Sequence, residues 1–151
     1  MGQSQSVSCS IEIEASPAAV RSVFLDFPRL LEWSQWTIEA SAPGKHPTEL
    51  KAGDGIKAKF ESFKFPATIT ENTTEHLEWV GSLPGILTGT HGFYFYPSSQ
   101  HPGSTTFTQK ETLSGLLAFV FGPGWSRRKN MLENWNVFNA DLKREVEKNS
   151  Y

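Results

Sequence analysis

Cysteine is nearly missing: Cys9 is the one residue of its kind, so no intrachain disulfide can form. That suits a reducing compartment, and a cytoplasmic location is expected. No apolar run reaches the ~18 residues that cross a bilayer as a helix, and the N-terminus lacks a signal-peptide core. The histidines at 46, 76, 91 and 101 fall at no metal-ligand spacing, so no metal is expected. A glycine-rich phosphate loop and a nucleophile elbow are both absent; Gly53-Asp54-Gly55 is too short to cradle a phosphate and reads as a turn. No organic cofactor is expected either. The formal net charge is only −2, which leaves no electrostatic footprint for nucleic acid. The short run Arg127-Arg128-Lys129 reads as a solvated helix start.

Aromatic residues, by contrast, are abundant: five Trp, eleven Phe and three Tyr, enough to line both a core and a ligand pocket. The clearest pattern is near the C-terminus. Met131, Trp135, Phe138, Leu142 and Val146 recur at steps of three and four, one stripe of a helix spanning 126–148. Gly122-Pro123-Gly124 punctuates its start, with Ser126 as N-cap. Such an aromatic stripe needs a broad partner surface, and what precedes it reads mostly as strands.

Met1 to Ser6 matches the loose myristoylation pattern at Gly2, but is read as a flexible polar tail over residues 1–6. No basic cluster follows it in sequence to strengthen a lipid anchor, so no stable membrane insertion is expected. Residues 7–151 then form one domain. Val7, Cys9, Ile11 and Ile13 alternate with polar residues as a half-buried strand. Ser16-Pro17 opens a short helix with Val20, Val23, Phe24 and Phe27 on one face, and Pro28 interrupts it. One more helical turn is expected over 29–33. Strands resume at Trp36, followed by a loop over 43–55 and alternating runs to residue 113. Short turns between them imply an antiparallel meander.

Ser16-Pro17-Ala18-Ala19-Val20, then Phe24-Leu25-Asp26-Phe27 and Trp33, follow directly on the first strand. Glu111-Thr112-Leu113-Ser114-Gly115 ends the last strand before the long helix. In this order the motifs resemble the START-related helix-grip (SRPBCC) superfamily, especially its polyketide cyclase/dehydrase-like members. The resemblance covers nearly the whole chain. It implies an α+β fold: a curved antiparallel sheet of six or seven strands wrapped around a long C-terminal helix, with two short helices after the first strand. It also implies an apolar cavity between sheet and helix. Members include lipid binders, polyketide cyclases and co-chaperone domains, so fold alone leaves function open.

Alternation over 87–96 puts His91, Phe93 and Phe95 on one face, and over 105–113 it groups Phe107, Gln109, Glu111 and Leu113. These are the more apolar sets and are placed inward. His91, Gln109 and Glu111 thereby sit among aromatics, where polar groups need partners or a purpose. His91 and Glu111 are the candidate proton-transfer pair, with burial raising the Glu111 pKa. The expected ligand contacts are Trp33, Trp36, Trp79, Phe93, Phe95, Phe107, Gln109, Asn134, Trp135 and Phe138. A structural role is open for each: hydrogen-bonding to one another for the polar residues, plain core for the aromatics. Known aromatase/cyclases in the resembled family use a cavity Arg, and no strand here supplies one.

Three functions are compatible with this pattern. The first is binding of a small hydrophobic, ring-containing or lipid-like molecule. The second is a cofactor-independent cyclase, dehydratase or isomerase using His91 and Glu111. The third is a protein-interaction domain with Leu116 to Phe121 as its docking patch.

Overall fold

The computed structural model describes residues 4–60 and 63–148. Seven strands form one antiparallel sheet: β1 Gln5–Ile13, β2 Trp36–Ala40, β3 Gly55–Phe60, β4 Phe63–Asn72, β5 His76–Leu83, β6 Leu87–Pro97 and β7 Thr105–Ser114. Their spatial order is β1-β7-β6-β5-β4-β3-β2, so β2 to β7 form a meander and β1 closes on the last strand. The first strand begins at Gln5, with Gln5 and Ser6 opposite Leu113 and Thr112. Gly2 lies outside the described residues.

Between the two edge strands the chain crosses by two helices, α1 (Pro17–Leu25) and α2 (Leu30–Trp33), joined by a tight turn through Phe27–Arg29. The Ser16 side chain accepts from Ala19 N, and Pro17 occupies the first turn, where its missing N–H costs nothing. Asp26 leaves the helical region just before Pro28 and ends α1. The face so formed points Val20 and Phe24 into the core, both fully buried.

The long helix α3 runs from Ser126 to Lys148, as its period predicts, with Ser126 as the first helical residue rather than the cap. Trp135, Phe138, Leu142 and Val146 are buried by the sheet and α1. At the far end Lys143 Nζ donates to Glu12 O, and the Glu147 carboxylate accepts from Glu14 N, which pins the helix to β1. The core is rich in aromatic rings. Phe24 is its hub, with ring centroids 4.7 Å from Phe93, 5.7 Å from Phe95 and 6.0 Å from Phe138. The helix and the β5–β6 and β7–α3 connections meet at one end of the sheet, called here the mouth; α1 closes the other.

Candidate functional site

Strand parity carries His91 to the inner face of β6, and Gln109 and Glu111 to the inner face of β7, as their alternation predicts. In the ladder His91 stands opposite Glu111, and Phe93 opposite Gln109. The His91 ring stacks on Phe93 at 4.3 Å and meets Trp135 of α3 at 4.7 Å. These apolar neighbours strip hydration from an imidazolium, so burial pulls the His91 pKa down to about 3 and the ring is neutral.

Which nitrogen keeps the proton follows from its partners. Gln109 Oε1 can only accept, so at 3.0 Å His91 Nε2 is the donor. Gln109 Nε2 in turn donates to Asn139 Oδ1 at 2.7 Å, and Asn139 Nδ2 donates to Cys9 Sγ at 3.3 Å. This chain of bonds leaves Nδ1 of His91 as a lone-pair acceptor. It lies 3.9 Å from Glu111 Oε1. With His91 neutral this is no ion pair but an acceptor facing a carboxyl group.

Glu111 is the more accessible partner, its side chain 18% exposed. Desolvation raises its pKa to about 7. Near neutrality it therefore exchanges between an acid that donates and a carboxylate that accepts. Its carboxyl lies over Gly89, where a built Cβ would collide with Oε2. A side chain at 89 and the carboxyl at this spot exclude each other.

Gly89 has a counterpart. It pairs in register with Gly81 of β5, and both share inner-face parity with their neighbours His91 and Trp79. The two glycines make a floor without side chains of its own: Gly81 is bare, and the Glu111 carboxyl, reaching in from β7, covers Gly89. On the β4 side is Phe65, whose ring edge is 3.9 Å from a Cβ built at Gly81. Trp79 and His91 form the back wall, their rings 5.6 Å apart. Burial falls along β6 toward the mouth, from fully buried Phe93 and His91 to half-buried Gly89 and Leu87.

The other expected contacts divide by depth. Trp36 is sandwiched between Phe60 and Phe138, with centroids 3.7 Å away on each side. Its indole donates to Asn134 Oδ1 at 3.1 Å, which gives Asn134 a structural partner. Trp33 is half-buried and tilted on Phe138 at 5.4 Å. Trp79, Phe93 and Trp135 surround His91. Phe95 and Phe107 pack with Phe24 away from the mouth. Side chains thus fill the grip from Trp36 to Phe107, and Gly81 is where the inner face is bare. Asn139 and the two floor glycines are site residues that sequence reasoning passed over. Asn139 stands four residues after Trp135, on the apolar stripe, and each glycine falls at an inward position of its strand.

A surface cleft of about 610 Å³ lies at the opposite end, lined by Arg21, Asp26, His46, Glu75 and Phe95 among others. Arg21 is committed there to Thr73 O and Asn72 Oδ1. The cleft shares only Phe95 with the expected site; α1 forms one wall and the segments around His46 and Thr74 the other. The polar pair and the glycines at the mouth carry more chemistry. Among the described residues no group of His, Cys, Asp and Glu could hold a metal ion. No described helix is long and apolar enough to cross a membrane.

No protein-family model and no curated protein sequence matches the chain. Solved structures do. A START superfamily protein from Mycobacterium smegmatis superposes with a TM-score of 0.68 at 17% identity, over 95% of this chain and 97% of that one. The Zhui aromatase/cyclase from Streptomyces sp. R1128 gives 0.66 at 9% identity, over 99% and 97%. Norcoclaurine synthase from Thalictrum flavum, in complex with dopamine and hydroxybenzaldehyde, gives 0.66 at 10% identity, over 99% and 90%. With seven antiparallel strands around one long C-terminal helix, the chain has the START-related helix-grip fold that these proteins share.

Proposed function

We propose that the chain binds a small, mostly apolar, ring-containing molecule at the mouth of the grip. The ring lies against Gly81, next to the Glu111 carboxyl that covers Gly89, and a hydroxyl or carbonyl oxygen meets the Glu111–His91 pair. The observation that carries this reading is the pairing of two inward glycines, one bare and one covered by a half-buried carboxyl. Glycine in a strand interior weakens the strand and commonly marks a close approach of another group. Protonated Glu111 donates to a ligand oxygen, and His91 Nδ1 accepts from a ligand hydroxyl. Apolar burial against Phe65, Trp79 and Leu87 supplies most of the affinity. Dopamine and hydroxybenzaldehyde, held by the norcoclaurine synthase, are ring molecules of this kind. A single half-buried cysteine suits work in the cytoplasm.

A second reading places chemistry on the same site: proton transfer on a bound enol or ketone, with Glu111 as acid or base. A carboxyl near pKa 7 beside a neutral imidazole favours it. The aromatase/cyclase likeness adds only that the fold is compatible.

The test is a Trp-fluorescence and native-mass-spectrometry titration with hydroxylated and unhydroxylated ring compounds. The comparison is between wild type and Gly81→Val. A Cβ at Gly81 meets Pro66 O at 3.4 Å, an ordinary contact, so the strand tolerates the change while the floor fills. Saturable binding that weakens at least ~10-fold in Gly81→Val supports the reading, since ~1.4 kcal/mol of lost contact is one decade. Equal affinity in both proteins, or no saturable binding across the panel, overturns it.

A further inference from the structure

Nine large hydrophobic residues are exposed among the described residues, and six of them gather at the mouth. They are Leu83 (61%), Ile86 (44%), Leu116 (68%), Leu117 (45%), Phe119 (45%) and Trp125 (48%). The β5–β6 turn supplies two and the β7–α3 connection four. The two segments are tied together. Leu117 N donates to Ile86 O at 3.0 Å. Gly115, at φ 108°, packs so closely on Ile86 that a Cβ would lie 2.6 Å from its carbonyl oxygen. Phe119 and Trp125 meet edge to face at 5.6 Å. Six protruding apolar side chains on two linked loops form a patch of the kind that marks an interaction surface.

Charge at this end indicates what covers it. Although the whole chain is slightly acidic, Arg127, Arg128 and Lys129 follow Trp125 and Ser126 on the first turn of α3. Lys59 and Lys64 face one another across the β3–β4 hairpin at the same end, both exposed. Glu133, one turn further along α3, is exposed, and Glu61 in the hairpin lies outside the described residues. A groove of about 490 Å³ runs between Trp125 and Leu132, bordered by Arg128 and Lys129 and, at its far edge, by Glu133. An apolar tip carrying Trp and ringed by Lys and Arg is the composition of a bilayer interface anchor. An anionic bilayer matches both features at once: its headgroups pair with the basic residues while its acyl chains take the leucines.

We propose that the mouth docks on an anionic lipid surface, with the two loops in the headgroup–acyl boundary and the basic turn of α3 on the headgroups. The mouth of the grip then opens toward the membrane, and an apolar ligand passes between bilayer and grip without crossing water. That purpose rests on the ligand reading above; the docking itself does not.

Flotation with vesicles of phosphatidylcholine, alone or with about 30% phosphatidylserine, tests the proposal without any ligand. The full chain is expected to float with the anionic vesicles and to be released by about 0.5 M salt. Arg127→Gln with Lys129→Gln should weaken binding roughly 30-fold, about five-fold per charge removed near such a surface. Arg128 is left intact because it donates to Phe121 O and Ser6 O. Leu116→Ser with Phe119→Ser should weaken it at least ~10-fold, and Val137→Ser, 50% exposed on α3 three turns from Trp125, should change nothing. Dibrominated phosphatidylcholine should quench wild-type Trp emission, and Trp125→Phe should remove most of that quenching. Failure to float with anionic vesicles, or floating equally in all variants, overturns the proposal. So does a concentration-dependent dimer in sedimentation that the Leu116 and Phe119 changes dissolve without altering vesicle binding. Ligand titration in solution is read separately, so loss of either activity leaves the other measurable.

Discussion

Replacing Glu111 by Gln should make this protein more stable, and only at neutral and alkaline pH. The Glu111 carboxyl has its pKa raised from 4.5 to about 7 in the folded state. Between those values the folded chain holds a proton that the unfolded chain has released. Stability therefore falls as pH rises from 4.5 to about 7, and the full penalty applies above. A shift of this size corresponds to about 3 kcal/mol, lowered toward about 2 by the part of the side chain that reaches water. His91 acts with the opposite sign. Its pKa falls from 6.5 to about 3, so stability is lost as pH drops through that window. From 4.5 to 6.5 the two slopes oppose, and the wild-type stability curve is flat there before it declines toward pH 7. Gln keeps the shape of Glu but cannot ionise. Glu111→Gln should therefore match wild type near pH 4 and exceed it by about 2–3 kcal/mol near pH 8. Urea unfolding followed by circular dichroism at several pH values reads this directly. A constant difference between the two proteins across that range would refute a desolvated carboxyl at 111.

Two further outcomes follow from the packing. Trp135→Ala should cost about 3–5 kcal/mol in urea unfolding, because a buried aromatic on α3 is truncated against His91; a loss below about 1 kcal/mol would mean the helix face is wrong. Gly89→Ala should drive the Glu111 carboxyl off the floor into water, since the new Cβ collides with Oε2. The alkaline loss of stability should then shrink, and an unchanged pH dependence would show that the carboxyl does not rest on Gly89.

Much of this arrangement is legible in the sequence because periodicity encodes it. Four-three-four spacing places α3 and its buried face, and two-residue alternation aims His91, Gln109 and Glu111 inward. The Ser16-Pro17 start and the Pro28 stop mark α1 through local backbone chemistry. What periodicity does not encode is pairing. Gly81 and Gly89 become a floor only when the β5–β6 register sets them opposite each other, and a glycine contributes nothing to a hydrophobic period. Nor does an aromatic reveal whether it lines a pocket or fills one. Trp36 reads as a pocket candidate in sequence, and in the fold it is stacked on both faces. The mouth patch has the same origin: Leu83 and Ile86 are thirty residues from Leu116 and Leu117 in sequence, and only the sheet joins them.

Whether Glu111 is a desolvated carboxyl at a ligand site is read from a carbon-13 NMR titration of its side-chain carboxyl. The free protein should show a midpoint near pH 7, and saturation with a hydroxylated ring compound that binds should move that midpoint by at least about one unit. A midpoint near 4.5 in the free protein would mean that the carboxyl is solvated, and one that a bound ligand leaves unmoved would mean that the ligand binds elsewhere.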